Sequence, residues 1–238
     1  MLRTFAWFSY LIYYMITTLP ELFKVKRLEK SGNLIERDKL VAKKVKQWAQ
    51  KMFKKAHGSI QVMGAEQLPP DKAVVFISNH QSNFDILVIL GYIDKPAAFI
   101  SKIEVLKLPI IRSWMRLMQC VFMNRKDLRQ SAHAMQEGVE VLKRGYSMVI
   151  FPEGTRSKGK PIGDFKAGSF KLPLRAGVQI VPVTIQGTWH MLEEKGRIQP
   201  AQITLIIHEP IPTNTLSQEE ISALPEKVKH IIAAGLAT

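Results

Sequence analysis

The sequence predicts an α/β protein built on a mixed, largely parallel sheet flanked by helices. Short apolar runs rich in β-branched residues recur along the chain, and stretches of helical periodicity separate them. The strand-like runs are residues 73–77, 97–100, 121–123, 147–151, 180–185 and 203–207. The first run is apolar without alternation, which is typical of a strand buried on both faces. With 238 residues, the chain is long enough for one such domain with a sizeable core.

The first 57 residues have a different composition. They hold 13 Lys and Arg against 4 Asp and Glu, so +9 of the chain's net charge of +14 lies there. Residues 5–19 are aliphatic and aromatic, but they fall short of the roughly 20 residues that a membrane-spanning helix needs. Further on, apolar side chains recur at helical spacing with lysines away from that stripe. The members of the stripe are Leu34, Val41, Val45, Trp48 and Met52.

These features predict an N-terminal two-helix membrane-binding motif over residues 1–57, followed by an α/β domain over residues 58–238. An apolar helix in one leaflet and a basic amphipathic helix on an anionic surface would hold the protein monotopically at the cytoplasmic face of the cell membrane. The alternative for the amphipathic stripe is contact with the protein's own core. A nucleic-acid-binding protein would also be basic, but its charge would line a groove rather than accompany an apolar anchor, so no nucleic acid partner is expected.

Helices are expected at residues 128–144 and 216–236, and Ser217 caps the second of them. The single cysteine, Cys120, excludes an intrachain disulfide and agrees with a domain that faces the reducing cytoplasm. Its neighbours are apolar, so we expect a buried thiol rather than a nucleophile. The six histidines show no metal-binding spacing, so the sequence predicts no metal site.

A polar motif, Asn-His-Gln-Ser-Asn-Phe-Asp, begins at Asn79, directly after a predicted strand. His80 and Asp85 are five residues apart, so a turn and one helical step could let the carboxylate bind one imidazole nitrogen. The other nitrogen would then be free to take a proton from a hydroxyl. No Gly-x-Ser-x-Gly motif occurs in the sequence, so the hydroxyl is expected to belong to the substrate. The alternative is a loop histidine and an ordinary first-turn acid.

A second polar motif, Phe-Pro-Glu-Gly-Thr-Arg-Ser, begins at residue 151, where another predicted strand ends. Arg156 offers a planar fork of donors suited to a phosphate, and the hydroxyl of Thr155 adds a donor. Gly154 permits a backbone conformation that other residues resist. Glu153 is an acid, so its expected role is to hold Arg156 or to accept a hydrogen bond from a substrate hydroxyl. The alternative is an ordinary turn with a solvated arginine.

The two motifs, in this order and at this separation, resemble the glycerolipid acyltransferase family, and most of all its lysophosphatidate acyltransferases. Residues 122–125 resemble the family's block that ends in a phosphate-binding arginine, and residues 181–183, Val-Pro-Val, resemble its closing strand. The likeness spans about residues 70 to 190. Two positions differ, because Arg112 and Gln119 stand where the family often has glycine.

The resemblance implies transfer of an acyl group from an acyl thioester to the sn-2 hydroxyl of lysophosphatidic acid, which gives phosphatidic acid. His80 would act as general base and Asp85 would orient it. The thioester would be carried by acyl carrier protein or coenzyme A, and no further cofactor is implied. Glycerol 3-phosphate or another lysolipid could be the acceptor instead. A non-catalytic lipid-binding protein would keep the phosphate site without needing His80.

The resemblance also implies a binding site for the acceptor's phosphate. Its members are Lys102, Arg125, Glu153, Gly154, Thr155 and Arg156. The three cations among them would converge on the phosphate, because burial of a dianion needs several fixed positive charges. Asn79, or backbone amides at the helix start near Asp85, are candidates to stabilise the oxyanion of the reacting thioester.

Overall fold

The structure, a computed structural model, describes residues 1–124 and 127–237, and in these ranges it contains a seven-stranded sheet. The strands are β1 (Gly58–Met63), β2 (Val74–Ser78), β3 (Ala97–Lys102), β4 (Val121–Met123), β5 (Ser147–Ile150), β6 (Gln179–Gln186) and β7 (Ala201–Ile207). Their order is β1-β7-β6-β2-β5-β3-β4, and neighbours run parallel except for the antiparallel pair β6 and β7. The predicted mixed, largely parallel sheet is confirmed, with β1 as an additional edge strand.

Helices surround this sheet. They are α1 (Leu2–Thr17), α2 (Leu19–Lys30), α3 (Leu34–Lys55), α4 (Phe84–Tyr92), α5 (Pro109–Leu117), α6 (Leu128–Lys143), α7 (Lys171–Ala176) and α8 (Gln218–Leu236). The start of α8 has the capping box that its sequence predicts, with reciprocal hydrogen bonds between Ser217 and Glu220. All five residues of β2 are buried, and successive side chains of a strand point to opposite faces. Both faces of the central sheet are therefore covered.

Cys120 lies in the core, as its apolar neighbours predict. Its Sγ accepts a hydrogen bond from the backbone N–H of Phe99 at 3.3 Å. Burial raises the pKa of the Cys120 thiol to about 12. The thiol is thus a packing group and stays protonated at neutral pH.

Most of the apolar stripe of α3 packs against the protein, although Leu34 at its start is 47% exposed, so the structure favours core contact for this part of the stripe. The membrane-binding motif over residues 1–57 as a whole stays a prediction. Val41, Val45 and Met52 are buried. The side-chain amide of Gln50 on α3 donates to the carbonyl of Gly91 on α4 at 2.8 Å. Helical periodicity indicates that one face of a helix is covered, but it does not distinguish a protein core from a lipid surface.

α1 is attached to the protein by one face only. Trp7 is buried, its indole N–H donates to the carbonyl of Met52 at 2.9 Å, and its ring lies 5.4 Å from that of Phe84. α1 also exposes large apolar side chains to solvent. Those more than half exposed are Leu2, Phe5, Ile12, Tyr13 and Ile16. Within residues 1–124 and 127–237, no helix is both long and apolar enough to cross a membrane.

Candidate active site

The two sequence motifs lie side by side at one edge of the sheet. β2 leads into His80, its neighbour β5 leads into Glu153, and the next strand, β3, ends in Lys102. These strands are parallel, so their carboxyl ends meet at the edge where open α/β sheets usually bind ligands. Lys102 is exposed there. The predicted Arg125 lies outside the described residues.

His80 and Asp85 form the pair that the sequence predicts. The Nδ1 atom of His80 lies 2.7 Å from Oδ2 of Asp85. The Asp85 side chain is fully buried, and that of His80 is 17% exposed. The Phe151 ring stacks on the imidazole with a centroid separation of 4.0 Å and an interplanar angle of 14°. Because Nδ1–H donates to the carboxylate, Nε2 is the nitrogen that remains for proton transfer.

The Asp85 carboxylate is surrounded by donors. Besides His80, its Oδ2 accepts hydrogen bonds from the backbone N–H of Gln81 at 2.7 Å and of Ser82 at 2.8 Å. Its Oδ1 accepts a hydrogen bond from the hydroxyl of Thr188. This is an environment for a negatively charged carboxylate, because every contact supplies a hydrogen to it and it sits at the start of α4.

Glu153 supports the backbone of both motifs. Its Oε1 accepts a hydrogen bond from the N–H of His80 at 2.7 Å, and its Oε2 accepts one from the N–H of Gly163 at 3.0 Å. Arg156 is not its partner: Nη1 of Arg156 donates to Oε1 of Glu193 at 2.9 Å. The expectation that Glu153 holds Arg156 is therefore corrected. Each oxygen of the buried Glu153 carboxylate accepts a backbone hydrogen bond, so the contacts of Glu153 connect the backbones of the two motifs.

The second motif also forms a hydrogen bond with the backbone carbonyl of His80. The N–H of Ser157 donates to the carbonyl of His80 at 2.7 Å. Gly154 has φ of 71°, the left-handed conformation that favours glycine. Beyond that turn, Thr155 is exposed and the Arg156 side chain is 33% exposed. The loop that carries Thr155 and Arg156 is thus hydrogen bonded to His80.

Asn79 does not face open space. Its side-chain amide donates to the carbonyl of Ile185 at 2.8 Å and accepts from the N–H of Ile185 at 2.9 Å. Asn79 is also buried, so it connects the end of β2 to β6, and this argues against the oxyanion role expected for it. The backbone N–H groups of residues 80–84 already donate to Glu153, Asp85, Glu193 or the hydroxyl of Ser82.

The segment after β6, residues 187–193, supplies supports that sequence reasoning missed. The N–H of Gly187 donates to the side-chain carbonyl of Gln81 at 3.0 Å. Thr188 binds Asp85, and Glu193 binds Arg156. The one feature of the sequence that could have indicated these supports is the position of the segment. It directly follows the strand with the Val-Pro-Val sequence, and that strand pairs with β2.

Comparison with known proteins identifies a family for this chain. Residues 59–186 match the family model described as Acyltransferase. The 1-acyl-sn-glycerol-3-phosphate acyltransferase of Chlamydomonas reinhardtii is 35% identical over 172 residues, which are 71% of this chain and 52% of that protein. The chloroplastic 1-acyl-sn-glycerol-3-phosphate acyltransferase LPAT1 of Arabidopsis thaliana is 39% identical over 155 residues, 64% of this chain and 43% of that protein.

The chain spans about half the length of the curated relatives it matches. Among solved structures, it is similar to the crystal structure of the 1-acyl-sn-glycerophosphate (LPA) acyltransferase PlsC from Thermotoga maritima. That likeness has a TM-score of 0.81 and 29% sequence identity, and it covers 98% of this chain and 95% of the other. The family-model match, which covers more than half of the chain, shows that this chain belongs to the acyltransferase family.

Proposed function

We propose that the protein transfers an acyl group from an acyl thioester to the sn-2 hydroxyl of lysophosphatidic acid, forming phosphatidic acid. The observation that carries this proposal is that the loop bearing Arg156 is hydrogen bonded to both sides of His80, through Glu153 and Ser157. A base and an anion-binding side chain are thereby held on one rigid unit. The relatives named as 1-acyl-sn-glycerol-3-phosphate acyltransferases and the PlsC likeness support the choice of acceptor.

In the proposed reaction, Nε2 of His80 removes the proton of the acceptor hydroxyl while its oxygen attacks the thioester carbonyl. Asp85 keeps Nδ1–H oriented and balances the positive charge that develops on the ring. The tetrahedral adduct then collapses: the carbon–sulfur bond breaks and the imidazolium returns the proton to the leaving thiolate. A new ester and a free thiol result, with no acyl-enzyme.

The acceptor's phosphate is proposed to bind beside this pair. Arg156 supplies a partly exposed guanidinium, Thr155 supplies an exposed hydroxyl, and Lys102 supplies an ammonium at the end of β3. Arg125 completes the proposed set. Several fixed cations are needed because a phosphate dianion loses its hydration on binding. Acyl carrier protein and coenzyme A both remain proposed carriers of the acyl group.

The protein is also proposed to lie on the cytoplasmic face of the membrane through its N-terminal helices. The support is the exposed apolar face of α1, which lies within residues 1–57, a region with a net charge of +9. The exposed residues would insert in one leaflet, while lysines near them meet anionic head groups. Lys51 and Lys55 lie over the rings of Tyr14 and Tyr10, at 5.1 Å and 5.3 Å, and so place cations beside this helix.

The experiment that tests the activity is acyl transfer to lysophosphatidic acid, from both acyl carrier protein and coenzyme A thioesters, by wild type and His80→Ala. A loss of at least about a hundredfold in the variant is expected for removal of a general base. Parallel assays with glycerol 3-phosphate and with other lysolipids separate the alternative acceptors. A wild-type protein that is inert towards all acceptors but binds lysophosphatidic acid would be a lipid-binding protein without this chemistry.

Membrane binding is tested separately by sedimentation with vesicles that contain or lack anionic lipid. Removal of residues 1–57 would delete core groups such as Trp7 and Met52, so point substitutions are preferable. Phe5→Ser combined with Ile12→Ser should weaken vesicle binding at least about tenfold, because two large apolar side chains no longer insert. Unchanged binding would place the membrane contact elsewhere.

A further inference from the structure

Glu193 occupies a position that the acid–base chemistry does not explain. It lies two residues after the 3₁₀ turn Thr188–Met191, and its side chain is only 5% exposed. Its Oε2 accepts a hydrogen bond from the hydroxyl of Ser82 at 2.5 Å, and its Oε1 accepts one from the N–H of Asn83 at 3.0 Å. The same Oε1 accepts the hydrogen bond from Nη1 of Arg156 at 2.9 Å. One buried carboxylate therefore contacts both sequence motifs.

The contact with Arg156 leaves much of the guanidinium available. A guanidinium carries five N–H groups on three nitrogens, and Glu193 contacts one terminal nitrogen. The Arg156 side chain is 33% exposed, so the rest of the fork can meet an anion from solution. An arginine that is already held in place loses less side-chain entropy when it binds a phosphate than a mobile arginine does.

The contacts with Ser82 and Asn83 set where this arginine lies. These two residues immediately precede α4, whose first turn carries Asp85, the partner of His80. Glu193 thus ties the arginine to the segment that orients the base. The acceptor's covalent structure limits the distance between its phosphate and its attacking hydroxyl, so the two halves of the site must lie within that range.

We propose that Glu193 is a positioning residue that orients the guanidinium of Arg156 for the acceptor's phosphate and fixes its distance from His80. This inference rests on the proposed function, because it assigns the phosphate of lysophosphatidic acid to Arg156. It predicts a specific kinetic signature. Loss of the carboxylate weakens binding of the acceptor, whereas binding of the thioester and the rate of proton transfer change little.

The test compares Glu193→Gln with Glu194→Gln. Glutamine keeps the length of the side chain and one acceptor oxygen but removes the charge that holds Arg156. Glu194 is a matched control, because it is the next residue and its carboxylate pairs with His190 at 3.2 Å. Arg156→Ala and the double variant Arg156→Ala/Glu193→Gln complete the cycle. KM for each substrate, kcat and Tm are measured for every variant.

In Glu193→Gln, KM for lysophosphatidic acid should rise about tenfold, as expected for loss of one hydrogen bond between charged groups. Its kcat and its KM for the thioester should stay within about twofold, and Glu194→Gln should match wild type. In the Arg156→Ala background, Glu193→Gln should add nothing, because the group that it positions is absent. Wild-type kinetics in Glu193→Gln, or an undiminished effect without Arg156, would overturn the proposal. A loss of kcat accompanied by a lower Tm would also do so, since it would indicate a purely structural role.

A binding measurement separates this proposal from the proposed function. If wild type shows no acyl transfer, the proposed function fails, and binding of a short-chain lysophosphatidic acid is measured by calorimetry instead. A Kd about tenfold weaker in Glu193→Gln than in Glu194→Gln would still support positioning of an anion-binding arginine. Equal affinities, or no binding by wild type, would overturn it.

Discussion

Replacement of Asp85 by Asn tests whether the carboxylate acts by charge or by shape. The substitution keeps the size of the side chain. If the amide oxygen takes the place of Oδ2, it still accepts hydrogen bonds from His80, Gln81 and Ser82. The amide nitrogen then faces Thr188, whose hydroxyl can rotate to accept a hydrogen bond. The imidazole should therefore stay in place, while the charge opposite the developing imidazolium is lost.

The size of the effect follows from the geometry of this pair. Nδ1 and Oδ2 are 2.7 Å apart, and the centres of the two charges are roughly 4 Å apart. At an effective dielectric of about 20, a unit charge pair at that distance interacts by about 4 kcal/mol. The amide dipole and water at the partly exposed imidazole recover part of this energy. A net loss of about 3 kcal/mol corresponds to roughly a hundredfold in kcat.

The assay measures kcat and KM for lysophosphatidic acid, with Tm as a check of folding. Asp164→Asn is the matched surface control. Asp164 is fully exposed, and among the described residues its one ion-pair partner is Lys229. The double variant with His80→Ala should be no slower than His80→Ala alone, since both residues serve one step. A kcat within about fivefold of wild type, or a rise in KM alone, would refute the proposed charge-based role of Asp85.

Three further outcomes test other parts of the structure. Because the pKa of Cys120 is about 12, iodoacetamide near pH 8 should modify the thiol only after unfolding in denaturant, and rapid labelling of folded protein would contradict its burial. Burial lowers the pKa of His208, so the unfolded chain takes up a proton first and stability should fall as the pH drops below about 6.5. Urea midpoints should show that loss in wild type and a smaller one in His208→Gln. Gly187→Ala should lower Tm and kcat, because the new Cβ would lie 2.5 Å from the Gln202 carbonyl oxygen. Gly145 has the same φ of 92° but lies in open space. Gly145→Ala should therefore lower the free energy of unfolding by about 1 kcal/mol and leave kcat unchanged. Equal losses in the two glycine variants would show that backbone strain alone accounts for the effect.

The parts of this fold that local sequence determines were predictable. Continuous apolar runs identified the central strands, because burial on both faces leaves no polar alternation. The His80–Asp85 contact was also predictable, since it spans a single turn. β1 escaped prediction because it is a half-exposed edge strand in which Gly58 and Gln61 dilute the apolar signal.

Other features depend on tertiary structure that no short pattern contains. The stripe on α3 has the same periodicity whether it faces lipid or core, and only the position of α4 decides between them. In the sequence, Glu193 stands beside Glu194 and looks like an ordinary surface glutamate. The fold brings it next to Ser82, 111 residues earlier in the chain, and the role proposed for it rests on this contact.

The long separation between the His80–Asp85 pair and its supports affects when the proposed activity begins in a newly made chain. Asn79, Gln81, Asp85 and Ser82 are bound by groups that lie 103 to 111 residues later. At about 5 to 20 residues per second, ribosomes deliver those groups roughly 5 to 20 seconds after the histidine motif. Until then β2 also lacks its partner β6, and the carboxylate has no hydroxyl donor on its second oxygen. If the proposed function holds, a nascent chain should therefore remain inactive until β6 and residues 187–193 have docked.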